Sequence, residues 1–161
     1  MSKYYNFRNL DIIFVDDNKN MHSLLKSLLL AMNVVNSRGC YTSEECFKCM
    51  LEDAPDIVIT DMSLNPENGI DLIRRIRQGE MGVDRYTPIL VLSGQTSLKH
   101  VVSARDAGAT EFLAKPVSVG SLHDRLVWMI ENPRPFIKAS TYIGPDRRRA
   151  MRGYEGMERR Q

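Results

Sequence analysis

No apolar run in this chain approaches the ~20 residues that a bilayer-spanning helix needs; the longest, Leu28 to Met32 with its neighbours, is interrupted by Lys26 and Asn33. The opening stretch MSKYYNFRNLD lacks the apolar segment of a secretory signal. Export is therefore not expected, and a cytoplasmic location is. Cysteine is scarce: Cys40, Cys46 and Cys49 make an odd count that fits reduced thiols. Cys46 and Cys49 do form a C-x-x-C, but inside a predicted helix rather than at its N-terminus, where the dipole would activate a thiol. Cys46, Phe47 and Met50 suit one buried helical face, so ordinary cysteines are expected over redox or zinc chemistry. His22, His100 and His123 fall on separate predicted helices and share no strand end, which points away from a histidine metal site and toward solvated helix positions. The single tryptophan, Trp128, is read as packing. Arg74, Arg75 and Arg77 are read as an exposed helix face.

What remains is a globular composition. The 161 residues are 43% hydrophobic and 26% charged, enough for one domain and a short tail. The net charge of +2 hides an asymmetry: residues 1–132 carry 14 basic and 17 acidic residues, whereas residues 133–161 carry 8 and 3. The expected organisation is an N-terminal extension over 1–9, a body over 10–132 and a basic C-terminal extension over 133–161.

Through the body, short β-rich runs alternate with helical stretches. Ile12-Ile13-Phe14-Val15, Ile57-Val58-Ile59-Thr60 and Ile89-Leu90-Val91-Leu92 are continuous apolar runs, as expected of strands buried on both faces. Val34-Val35 begins a weaker second strand, and Glu111-Phe112-Leu113 is a short fifth. Helices are predicted from Met21 to Met32, from a Ser43 cap to about Glu52, from Ile70 to Arg77, from Ser97 to Ala107, and from Ser118 or Ser121 to Glu131. Five βα units with short connections imply an α/β fold, a doubly wound five-stranded parallel sheet with helices on both faces.

In such folds ligands bind beyond the carboxyl ends of the strands. Those ends carry Asp16 and Asp17, Asp61, Ser93 and Lys115. Carboxylates crowded at one crevice repel one another unless a cation sits among them. Oxygen donors with no His or Cys nearby suit a hard divalent ion, magnesium or manganese. One carboxylate could then act as nucleophile toward a phosphoryl group, with the lysine and metal neutralising its oxygens.

The segments Phe14-Val15-Asp16-Asp17-Asn18, Ile57-Val58-Ile59-Thr60-Asp61, Leu90-Val91-Leu92-Ser93-Gly94 and Ala107-Gly108-Ala109-Thr110-Glu111-Phe112-Leu113-Ala114-Lys115-Pro116 closely resemble the receiver domains of two-component response regulators, with their flavodoxin-like fold. The resemblance covers residues 10–132. It implies that Asp61 is the phosphoacceptor and that Asp16, Asp17, Asp61 and the backbone carbonyl of Ser63 bind magnesium. It implies that Lys115 pairs with the phosphoryl group, held by a Lys115-Pro116 bond that is usually cis in the family. Ser93 resembles the hydroxyl residue that swings toward the phosphoryl group, Gly94 leaves access to it, and Phe112 resembles the aromatic residue that turns inward in response. The implied donor is a sensor histidine kinase or phosphotransfer protein, and the implied output is altered binding to a downstream protein, with dimerisation on phosphorylation left open. Such a domain catalyses its own phosphorylation and slow hydrolysis without being a conventional metabolic enzyme.

Two positions depart from the commonest pattern: the proline after Asp61 stands at Pro66, one place late, although Gly69 keeps its spacing, and Phe112 lacks a tyrosine hydroxyl. Beyond Pro133 and Pro135 there is too little apolar sequence for a second core or a DNA-binding output domain. Three readings of that tail stay open: a solvated extension, docking through Phe136, Ile137, Tyr142 and Ile143, or nucleic-acid or acidic-lipid contact through Arg147-Arg148-Arg149 and its neighbours. A scaffold that no longer cycles phosphate and a metal-dependent phosphohydrolase are the competing functions.

Overall fold

The structure is a computed structural model that describes residues 5–139 and 141–146. Strands β1 (Asp11–Val15), β2 (Asn36–Cys40), β3 (Ile57–Asp61), β4 (Ile89–Ser93) and β5 (Glu111–Ala114) form one parallel sheet in the order β2-β1-β3-β4-β5. Helices α1 (Lys19–Ala31), α2 (Ser43–Glu52), α3 (Gly69–Arg77), α4 (Leu98–Ala107) and α5 (Val119–Glu131) connect and follow the strands. The expected doubly wound, flavodoxin-like architecture is therefore present, with its reversal of strand order between β1 and β3.

Strand alternation sorts the core into two layers. Ile13, Val15, Val58, Ile89 and Val91 face a cluster with Phe47, Leu72, Ile73 and Ile76, while Ile12, Phe14, Ile57, Ile59, Leu90 and Leu92 face Leu25, Leu29, Leu122 and Leu126. Four helix starts are fixed by side chains: Asn18 caps α1, Thr42 caps α2 by accepting from the Glu45 N–H, Asn68 caps α3 by accepting from the Asp71 N–H, and Ser118 with Ser121 forms a capping box on α5.

Three expectations need correction. The second strand runs over Asn36–Cys40, not from Val34, because Val34 is buried ahead of it and an edge strand can be polar. The second helix is capped by Thr42, with Ser43 as its first helical residue, and ahead of β1 Phe7 is buried in the α1/α5 layer, edge-on to the His123 ring. Finally, Arg74, Arg75 and Arg77 do not share an exposed face. Arg74 is the exposed one. Arg75 lies over the Phe47 ring and ion-pairs with Glu44, Glu67 and Glu80, and Arg77 is 2% exposed.

Arg77 organises the end of the molecule opposite Asp61. Its guanidinium donates to the carbonyls of Gly108 (2.8 Å), Arg85 (2.6 Å) and Thr87 (2.7 Å). No carboxylate pairs with it among the described residues, and burial lowers its pKa to about 10, so it stays charged at neutral pH. Over it, at 4.8 Å, lies the ring of Phe136. Phe136 opens a second, antiparallel pair, β6 (Phe136–Lys138) with β7 (Ile143–Pro145).

This hairpin is seated on the end of α4. A Cβ on Gly108, which has φ of 115°, would meet Arg77 Cγ at 2.8 Å and the Ile143 carbonyl at 3.0 Å, and one on Gly144 would meet Gly108 Cα at 3.0 Å. Tyr142 is buried, with its hydroxyl donating to the Pro145 carbonyl. Arg134 ties the linker to Glu111 at 2.6 Å, and the Trp128 indole N–H donates to the same carboxylate. Of the three readings of the tail, docking through Phe136, Ile137, Tyr142 and Ile143 thus describes residues up to 146. Arg147-Arg148-Arg149 and the rest of the basic run lie outside the described residues.

Candidate functional site

The carboxyl ends of β1, β3, β4 and β5 meet where the strand order reverses. Asp61, the last residue of β3, is 8% exposed and accepts from Lys115 Nζ at 2.8 Å through Oδ2. Its Oδ1 accepts from the backbone N–H of Ser63 at 3.1 Å. The loop that follows must return close over β3, because a Cβ on Gly69 would stand 2.2 Å from the Asp61 carbonyl oxygen. Only glycine fits there, which accounts for the spacing from Asp61 to Gly69 seen in the sequence. Arg75, through Glu67, holds the far side of the same loop.

Asp16 lies beside this pair, 1% exposed, with Oδ2 3.9 Å from Lys115 Nζ. Oδ1 accepts from the Asn18 N–H at 2.8 Å, whereas Oδ2 is buried without a hydrogen-bond partner. Burial, with the neighbouring Asp61 charge adding to it, pushes the Asp16 carboxyl up to about 6 despite the Asn18 N–H and Lys115. Lys115 reaches the site from the segment after β5, where the Lys115-Pro116 bond is cis as expected and the Lys115 N–H donates to the Ser93 carbonyl. A second cis bond, Asn65-Pro66, occupies the loop after Asp61.

The remaining expected residues are placed as follows. Asp17 is exposed, and among the described residues no three acidic, histidine or cysteine side chains converge on a metal-sized space. The three-carboxylate set of Asp16, Asp17 and Asp61 is therefore not closed; Asp16 and Asp61 share Lys115 instead. Ser93 is buried, with its hydroxyl turned to its own loop, donating to the Gln95 carbonyl and accepting from the Gln95 N–H. Gly94 has open space around its Cβ position. Phe112 is half-buried against the α2/α3/α4 layer.

The donors here are all oxygens, and one of them is buried and orphaned, which fits a hard divalent cation. Asp16 and Asp61 would hold it, with the exposed Asp17 and Ser63 at its rim.

One participant was missed. His22, expected as a solvated helix residue, places Nε2 2.7 Å from the Asp16 carbonyl and stacks on the Tyr41 ring at 3.9 Å between centroids. No local pattern links His22 to Tyr41, since the contact exists only once α1 and the end of β2 are side by side.

The raised Asp16 carboxyl predicts a pH dependence. The folded chain binds this proton more tightly than the unfolded chain, whose value is near 3.8. The stability from this group is therefore complete below about pH 4 and lost as pH rises through about 6, by about 3 kcal/mol at most. Asp16→Asn should thus stabilise the metal-free protein at pH 7 by about 1–3 kcal/mol and flatten its pH profile between about 4 and 6. Urea unfolding with a chelator at both ends of that range reads this, and a substituted protein less stable than wild type at pH 7 would contradict it.

Comparisons with known proteins agree with this fold. The family model of the response regulator receiver domain matches residues 12–127. The chain is 25% identical over 119 residues to chemotaxis protein CheY-3 of Vibrio cholerae, covering 74% of this chain and 90% of that protein. It is 29% identical over 138 residues to the sensory/regulatory protein RpfC of Xanthomonas campestris, covering 84% of this chain but 19% of RpfC, so it spans about a fifth of that relative's length. Among solved structures, the response regulator receiver protein from Pseudomonas putida superposes with a TM-score of 0.63 at 31% identity, covering 73% of this chain and 95% of that one. The chemotaxis response regulator CheY4 of Vibrio cholerae shares the fold, with a TM-score of 0.66 at 21% identity over 73% of this chain and 96% of that one. With the family matched across the sheet and all five of its helices, this chain belongs to the response regulator receiver domain family of two-component systems.

Proposed function

We propose that this domain accepts a phosphoryl group on Asp61 from a phosphohistidine donor, a sensor histidine kinase or phosphotransfer protein, and that the phosphorylated form binds a downstream protein differently. Receiver domains are signalling switches rather than metabolic enzymes. The observation that carries the reading is the contact of Lys115 Nζ with Asp61 Oδ2 at 2.8 Å, beside the buried Asp16.

Asp61 Oδ2 is the nucleophilic oxygen in this reading, because it is the one beside Lys115 Nζ, while Oδ1 keeps the Ser63 N–H. Lys115 orients that carboxylate before transfer and is in place to pair with a phosphoryl oxygen afterwards. Magnesium, when bound, neutralises phosphoryl charge and the repulsion between Asp16 and Asp61. Gly94 keeps the approach open. Ser93 would exchange its bonds to Gln95 for a phosphoryl oxygen, and Phe112 would turn inward into the space so vacated. The differential contacts of Ser93 and Lys115 in the two states are what would bias the surface of α4, β5 and α5. No helix among the described residues is long and apolar enough to cross a membrane.

Transfer from a phosphohistidine donor, followed by peptide mapping, tests this. The label is expected on Asp61 alone and absent from Asp61→Asn; label on any histidine or serine instead would overturn the assignment.

A further inference from the structure

Outside the acidic site, the fold gathers the thiols in an arrangement the C-x-x-C spacing does not suggest. Cys40 closes β2, and Cys46 and Cys49 lie on α2. It is Cys40, not Cys46, that faces Cys49, with 3.5 Å between the two Sγ atoms. Cys46 is fully buried, and burial pushes its thiol up to about 12. Cys40 is 1% exposed and likewise raised by burial, while Cys49 is only partly buried.

Arg38, on the same strand as Cys40, holds the pair together. Its Nη1 donates to the Cys49 carbonyl at 2.7 Å and its Nη2 to the Asp53 carbonyl at 2.7 Å, with Asp11 as its ion-pair partner. Strand β2 and the last turn of α2 are thereby clamped with the two sulfurs already in contact.

We propose that Cys40 and Cys49 are a modification site, forming a reversible intramolecular disulfide with oxidants of the peroxide class. Cys49, the accessible thiol, meets the oxidant. Its sulfur attacks one peroxide oxygen, the O–O bond breaks, Cys49 becomes a sulfenic acid, and the departing hydroxide leaves as water with the Cys49 proton. Cys40 then attacks the Cys49 sulfur, the S–O bond breaks, and the hydroxyl leaves as water with the Cys40 proton. Two thiols and one peroxide give one disulfide and two waters. Cys40 suits the second role because its sulfur already stands 3.5 Å from that of Cys49. The bridge would lie one hydrogen bond from the acidic site, since the Cys40 carbonyl accepts the Asp16 N–H at 3.0 Å.

The test is intact mass and peptide mapping of the full chain after hydrogen peroxide treatment and alkylation of the remaining thiols. Before alkylation, wild type and Cys46→Ser should each show a loss of about 2 Da that a dithiol reductant reverses, and after alkylation the bridge should map to Cys40 and Cys49. Cys49→Ser should lose nothing, and Cys40→Ser should gain oxygen at Cys49 in steps of about 16 Da. Unchanged mass in wild type, a bridge to Cys46, or a cross-link between chains would each overturn the proposal. None of these readouts depends on Asp61 chemistry.

Discussion

Arg77→Ala is expected to lower the unfolding free energy by about 3–5 kcal/mol, the largest loss from a single arginine in this domain. The guanidinium satisfies three carbonyls, those of Arg85 and Thr87 in the connection ahead of β4 and that of Gly108 in the connection ahead of β5. Truncation leaves those acceptors without a donor and opens a cavity under Phe136, and each cost is of order 1–3 kcal/mol. Arg77→Lys should recover only part of the loss, because one ammonium cannot reproduce the planar fork that reaches all three. Denaturant unfolding should show a lower midpoint with little change in slope. Asp61 chemistry should survive wherever the variant is folded, since Arg77 lies at the other end of the sheet. A loss below about 1 kcal/mol would show that water replaces the guanidinium at no cost, and the clamp on the hairpin would not exist.

Lys115→Ala is expected to slow phosphorylation of Asp61 about a hundredfold while tightening divalent-cation binding. The two effects come from the same atom. Nζ lies 2.8 Å from Asp61 and 3.9 Å from Asp16, so it pairs with the oxygens a cation would take. Its removal leaves the carboxylates more basic toward metal but leaves the phosphoryl oxygens short of one counter-charge. A titration with manganese, read by quenching or calorimetry, separates these contributions from folding damage. Weaker metal binding together with slower phosphorylation would point to a general collapse of the site instead.

Much of this site was readable from residue order. Asp16, Asp61, Ser93 and Lys115 follow strands announced by continuous apolar runs, and strand ends at a topological switch point converge by geometry. The runs are legible because β1, β3 and β4 are buried on both faces. Strand β2, Asn-Ser-Arg-Gly-Cys, is a polar edge strand with no such run. Arg77 looked like any surface arginine, because nothing within α3 reveals that the Gly108 loop and Phe136 will cover it. The hairpin was legible only as a set of possible anchors, since Phe136 and Tyr142 have meaning only against Arg77 and Gly108. The hydroxyl direction of Ser93 and the exposed position of Asp17 are matters of rotamer and loop path, which spacing does not encode. The cysteines show the same limit: local spacing pairs Cys46 with Cys49, and the fold pairs Cys40 with Cys49.

Acceptance of a phosphoryl group on Asp61 is expected to require a divalent cation. Intact-protein mass after incubation with magnesium and a small phosphodonor tests it directly. One added phosphoryl group is expected, absent without magnesium and absent in Asp61→Asn. Unmodified wild-type protein under several donors, with magnesium shown to bind, would contradict it and leave the domain a scaffold.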